Sequence, residues 1–122
     1  MGKLILVIDD SKTIRMIVTK ALKAAGFETI EAGNGREGIE AVNASSPALV
    51  ISDLNMPVMD GLEFARDLRS LPAHANTPLI FLTTETETGH MQAASATHHA
   101  AWLVKPFKAE SLLEAVRGAM PS

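Results

Sequence analysis

Cysteine is absent from the 122 residues. That excludes disulfides, a thiolate zinc site and a thiol nucleophile, and it suits a reducing compartment. A basic excess is missing as well. Lys and Arg number 11 against 14 Asp and Glu, the signs are interspersed, and the net charge is −3. Nothing here builds the positive stripe of a direct nucleic-acid binder or a polybasic or amphipathic membrane anchor. The N-terminal apolar run, Leu4 to Ile8, is five residues long and ends in acids, unlike a signal peptide. Repeats, linkers and low-complexity tracts are lacking. The length suits one domain over 1–122, able to bury a substantial core. The expectation is a cytoplasmic, monomeric domain.

Five short runs rich in aliphatic or β-branched residues are present: Leu4 to Ile8, Phe27 to Glu31, Ala48 to Ser52, Pro78 to Leu82 and Ala101 to Val104. Helical spacing fills the gaps. Ile14, Ile17, Val18, Ala21, Leu22 and Ala25 fall at i, i+3, i+4, i+7 steps, with Gly26 placed to end the helix. In "NGREGIEAV", Asn34 and Glu37 form a capping-box arrangement. "GLEFARDLRSL" and "AESLLEAVRGAM" follow the helical period too, whereas Gly89 and three threonines dilute helix propensity between Thr86 and His99. Strand and helix thus alternate five times. That predicts an α/β fold with a doubly wound, five-stranded parallel sheet and right-handed crossovers.

Such sheets bind ligands beyond the carboxyl ends of their strands. Asp9 and Asp10 follow the first run, Asp53 the third, Thr83 and Thr84 the fourth, and Lys105 and Pro106 the fifth. Two carboxylates about 5 Å apart repel by roughly 3 kcal/mol at an effective dielectric of about 20. Helix capping by Asp9 or Asp10 is the ordinary explanation for such a pair. The convergence of three acids on one edge points instead to a hard divalent cation such as Mg²⁺. With Lys105 opposite, that cation would hold phosphoryl oxygens while Asp53 acts as nucleophile and Thr83 hydrogen-bonds a further oxygen.

"VIDDS", "ISDLNMPVMDG", "FLTT" and "WLVKPF" resemble the motifs of the receiver domain of two-component response regulators, over essentially the whole chain. The resemblance implies a flavodoxin-like (βα)5 fold with strand order 2-1-3-4-5. It implies that Asp53 accepts a phosphoryl group from a histidine kinase. Asp10, Asp53 and the backbone carbonyl of Asn55 would ligate Mg²⁺, and Asp9 would assist through water. Thr83 and Lys105 would contact the phosphoryl group, and the Lys105–Pro106 bond would be cis. Asn55 and Glu85 resemble the pair that speeds dephosphorylation in chemotaxis regulators. Because the chain stops after the last helical segment, a stand-alone, CheY-like receiver without an output domain is expected, a switch and not an enzyme acting on other molecules. Its target would be the flagellar motor switch. The alternative is a phosphorelay shuttle that passes the group to a histidine phosphotransfer protein.

Trp102 stands where the family usually has Tyr, Phe or His, and it would switch together with Thr83. "THHAAW" places His98 and His99 where a Gly-Ala pair is common; with His90 they read as solvated surface histidines, while His74 in its loop carries no signal. "GNGREG", Gly33 to Gly38, matches G-x-G-x-x-G and admits a dinucleotide-binding module. That reading leaves Asp9, Asp10, Thr83 and Lys105 unexplained. A phosphatase of the haloacid dehalogenase type would need D-x-D at Asp53, where the chain has Asp53-Leu54-Asn55.

Overall fold

Apolar runs alternate with amphipathic segments in the computed structural model, which describes residues 3–54, 58–59, 61–83 and 101–120. Strands β1 (Leu4–Ile8), β2 (Glu28–Ala32), β3 (Leu49–Asp53), β4 (Leu79–Thr83) and β5 (Ala101–Val104) form one parallel sheet in the order β2-β1-β3-β4-β5. Among the described residues the helices are α1 (Lys12–Ala24), α2 (Gly35–Ser45), α3 (Gly61–Ser70) and α4 (Ala109–Ala119), with a 3-10 turn at Pro72–His74. Residues Thr86 to His99, read as the weakest helical segment, lie outside the described residues, as does Asn55.

β1 and β5 match the expected bounds; β2, β3 and β4 each lie one residue further along the chain. The apolar pattern stops before the ladder does. Asp53 pairs with Leu82 and Thr83 with Val104, so these polar residues belong to their strands and do not merely follow them.

Side-chain alternation sorts the interior into two layers. Leu6, Ile8, Val50, Leu79 and Phe81 pack with Val42 of α2 and Phe64 and Leu68 of α3. Ile5, Val7, Leu49, Ile51, Ile80 and Leu82 pack with Val18 and Leu22 of α1 and Leu112 and Val116 of α4. β3 and β4 are buried along their whole length, as central strands covered on both faces must be.

The helix ends follow local chemistry. Ser11, not Asp9 or Asp10, caps α1, its hydroxyl accepting the Ile14 N–H at 3.3 Å. At the other end Gly26, at φ +95°, closes a Schellman motif: the Phe27 N–H reaches the Leu22 carbonyl and the Gly26 N–H reaches that of Lys23, each at 3.0 Å. Asn34 caps α2 as expected, accepting the Glu37 N–H at 2.9 Å. Glu37 Oε1 returns to the Gly33 N–H, one residue earlier than in the usual capping box. A side chain at Gly38 would strike Ile8 and Phe64, and one at Gly35 would strike Met59. Gly35 and Gly38 of "GNGREG" therefore serve the close seating of α2, and Gly33 gives its N–H to the cap.

His74, silent in the sequence, is buried. Its ring Nδ1 lies 2.8 Å from the Thr77 hydroxyl, and Arg69 donates to the carbonyls of His74 at 3.0 Å and Thr77 at 2.7 Å. Burial lowers the Arg69 pKa from its ordinary value. This cluster ties α3 to the start of β4, at the end of the sheet away from the polar strand ends.

Candidate functional site

The layer facing α1 and α4 carries the site as its own continuation. Ile5 and Val7 lead by the two-residue period to Asp9; Leu49 and Ile51 lead to Asp53; Leu103 leads to Lys105. Three strands therefore deliver two carboxylates and one ammonium to a common point where the sheet ends. Asp9 and Asp53 are buried, and Asp10, in the turn after β1, is exposed.

Lys105 Nζ donates to Asp53 Oδ1 at 3.1 Å and to Asp9 Oδ2 at 3.4 Å. The second oxygen of Asp9 accepts the Ser11 N–H at 2.9 Å. Ligand oxygens from Asp9, Asp10 and Asp53 all lie within 4.8 Å of one another. One ammonium shared between two of three acids leaves a surplus of negative charge. Burial pushes the Asp53 carboxyl above its usual range, Asp9 adds to that push, and Lys105 offsets only part of it. Burial by itself would lower the Lys105 pKa, but Asp53 and Asp9 outweigh it and the ammonium is held above its ordinary value. The two partners therefore do not shift as a balanced ion pair would, and the Asp53 side is where compensation is missing. A cluster of hard oxygen donors with uncompensated negative charge fits a divalent cation such as Mg²⁺.

Thr83 is fully buried at the end of β4, and its carbonyl accepts the Lys105 N–H at 2.6 Å. Register pairs Phe81 with Trp102 and Thr83 with Val104. Thr83 and Trp102 are thus diagonal neighbours on the sheet face opposite the carboxylates, within reach for a side chain as large as Trp. Trp102 is half-buried against the layer containing Leu6, Ile8 and Phe81. The Lys105–Pro106 peptide is cis. Asn55, Thr84, Glu85, His90, His98 and His99 lie outside the described residues.

One residue next to this site was not legible in the sequence. Arg15, in the first turn of α1, donates to the Asp9 backbone carbonyl and pairs with Glu31 at 3.0 Å. Its spacing from the acids carries no recognisable pattern, and only the fold brings the end of β2 beside it.

Comparison with known proteins converges on one group. The family described as the response regulator receiver domain matches residues 5–117. A Rhizobium etli protein named "Probable chemotaxis protein CheY" is 36% identical over 120 residues, covering 95% of this chain and 93% of that protein. The DNA-binding response regulator MtrA of Mycolicibacterium paratuberculosis is 33% identical over 117 residues, covering 96% of this chain and 51% of that protein. Among solved structures, the chemotaxis response regulator CheY4 of Vibrio cholerae superposes with a TM-score of 0.91 at 37% identity, covering 98% of this chain and 100% of that one.

Proposed function

Since this chain belongs to the response regulator receiver family, we propose that it is a CheY-like switch whose Asp53 takes a phosphoryl group from a histidine kinase and whose affinity for a partner protein then changes. The observation that carries this reading is the placement of Lys105 Nζ at 3.1 Å from Asp53 and 3.4 Å from Asp9 inside a three-carboxylate cluster.

Asp10 and Asp53, with the Asn55 carbonyl and with Asp9 through water, would hold Mg²⁺. When bound, Mg²⁺ supplies positive charge that offsets the clustered acids and the incoming phosphoryl oxygens. An Asp53 carboxylate oxygen forms the new bond to phosphorus in line with the departing histidine nitrogen. That nitrogen keeps the electron pair of the broken bond and is protonated by solvent. Lys105 moves from the carboxylates to a phosphoryl oxygen, and the Thr83 hydroxyl donates to another. In the separate dephosphorylation step a water oxygen forms the new bond to phosphorus, and the bond to Asp53 breaks with its electron pair returning to the carboxylate. The group leaves as inorganic phosphate carrying the water's oxygen and giving up a proton to solvent. The apolar groove lined by Ile14, Ile17, Pro106 and Phe107 opens beside Lys105 and offers the kinase a place to rest while its histidine reaches Asp53.

Chemotaxis signalling to the flagellar motor switch is the biological reading we favour over a phosphorelay shuttle. It is supported by the names of the R. etli and V. cholerae relatives, which the chain matches over nearly their whole length. Among the described residues no helix is long and apolar enough to cross a membrane.

Incubation with acetyl phosphate and Mg²⁺ should add the mass of one phosphoryl group to the wild type and none to Asp53→Asn. Labelling that persists in the variant refutes the assignment. A phosphoryl group that survives for hours on the wild type counts against the motor-switch reading, which requires rapid loss assisted by Asn55 and Glu85.

A further inference from the structure

A polar cleft of about 420 Å³ opens between the turn after β1 and the turn after β2, lined by Asp10, Arg15, Glu31, Ala32, Gly33 and Glu37. The phosphoryl chemistry above makes no use of its central residue. Arg15 Nη1 donates to the Asp9 carbonyl, and Arg15 Nε donates to Glu31 Oε1 at 3.0 Å. The Asp9 N–H meanwhile donates to the Ala32 carbonyl at 3.2 Å. Asp9 is therefore held on both of its peptides. The peptide held by Arg15 matters most for a cation, because it is the link to Asp10, which lies in the turn beyond the ladder. Rotation of that peptide would swing the Asp10 carboxylate away from Asp53.

A guanidinium this near to clustered acids has a cost of its own, since it competes electrostatically with any cation bound there. Glu31 answers that by neutralising it. The Arg15–Glu31 pair is partly exposed, with side chains 18% and 43% accessible, and such pairs add little to stability. Its position suggests a different use.

Resting on the reading of Asp9, Asp10 and Asp53 as a divalent-cation site, we propose that Arg15 is a positioning residue for that site and Glu31 its charge partner. Arg15 fixes the Asp9–Asp10 peptide in the orientation that brings Asp10 to Asp53. Glu31 lets it do so without repelling the metal. Neither residue touches the cation.

Two effects of losing Arg15 oppose each other, which makes the test decisive. Removing a positive charge should strengthen cation binding, whereas removing the tether should weaken it. Mg²⁺ is titrated calorimetrically into the metal-free 122-residue chain at low and high salt, with circular dichroism confirming that each variant is folded at the assay temperature. Arg15→Met should bind about tenfold more weakly at both salts, the low end of what loss of a supporting contact costs a metal site. Arg15→Lys cannot serve the carbonyl and Glu31 together and should fall between that variant and the wild type. Glu31→Gln keeps an acceptor but exposes the guanidinium charge, and should weaken binding about two- to threefold at low salt with recovery at high salt. Wild-type or tighter affinity in Arg15→Met overturns the proposal, even if its melting temperature falls, because a purely structural residue would behave that way. Asp10→Ala is the control for the site itself. If it binds Mg²⁺ as the wild type does, the underlying reading fails and not the role of Arg15.

Discussion

Asp53→Asn should stabilise the metal-free protein and at the same time abolish its stabilisation by Mg²⁺. The magnitude follows from the distances. With ligand oxygens of Asp9, Asp10 and Asp53 within 4.8 Å, each pair repels by about 3.5 kcal/mol at an effective dielectric of about 20. Lys105, at 3.1 Å from Asp53 and 3.4 Å from Asp9, returns about 5 kcal/mol for each contact on the same scale. Neutralising Asp53 removes two repulsions and one attraction, which leaves a gain of about 2 kcal/mol, and it also relieves the burial of a charge. Lys105 is not orphaned by the change, since Asp9 remains.

Urea unfolding in EDTA should therefore place the variant about 1–2 kcal/mol above the wild type, equivalent to a rise in Tm of about 3–8 °C for a domain of this size. At tenfold excess over its dissociation constant Mg²⁺ should add about 1.4 kcal/mol to the wild type and nothing to the variant. The pH dependence has a definite sign. The folded pKa of Asp53 is raised, so the folded state binds the proton more readily than the unfolded state. The penalty is fully present above the folded pKa and shrinks as pH falls from there toward the ordinary carboxylate value. Metal-free wild type should gain stability on acidification through that window relative to Asp53→Asn. A variant less stable than the wild type in EDTA would show that attraction to Lys105 dominates, and the reading of a charge surplus would be wrong.

Gly61→Ala would place a Cβ 2.5 Å from the Asp53 carbonyl oxygen and 2.9 Å from the Leu54 Cα; we expect a loss of about 2–3 kcal/mol in chemical unfolding, with weakened phosphorylation because the strand end that carries Asp53 must move. Val58 is 72% exposed at φ +73°, a conformation that costs a β-branched residue about 1–2 kcal/mol, so Val58→Gly should raise stability by up to about 1 kcal/mol, and a loss would show that its side chain makes contacts worth more than the strain. Trp102 is larger than the family's usual residue, and overpacking by a few methylene-sized groups costs about 1–3 kcal/mol. It should turn inward only partially on phosphorylation, so Trp102→Tyr should widen the affinity difference between phosphorylated and unphosphorylated forms; a fully buried indole in the phosphorylated structure would refute this.

The sheet was legible because its signal is collective. Each run of four or five aliphatic residues is ambiguous alone, but strand-helix alternation with a polar residue at the close of four runs leaves few topologies. The one-residue offset at β3 and β4 has a physical origin: hydropathy reports what a side chain buries, whereas a strand is defined by backbone pairing, and the two part company where a polar side chain ends a ladder. Asp53 and Thr83 are such places, so the error falls at the functional edge.

What the sequence could not show are contacts made by fold geometry without periodicity. The His74 ring meets the Thr77 hydroxyl and Arg69 donates to two backbone carbonyls of the same loop, and a loop's carbonyls leave no trace in residue type. Arg15 reads as one more base on an amphipathic helix. Its meaning arises because β1 and β2 are neighbours, which brings Glu31 and the Asp9 carbonyl to one guanidinium. The acids that would hold a cation are thus written into the strand pattern, while the group that would orient one of them depends on strand order. Alignment of residue types alone would find the first kind and pass over the second. A chain that kept Asp9, Asp10, Asp53 and Lys105 but lost the Arg15 tether should therefore retain every motif and still bind its metal poorly.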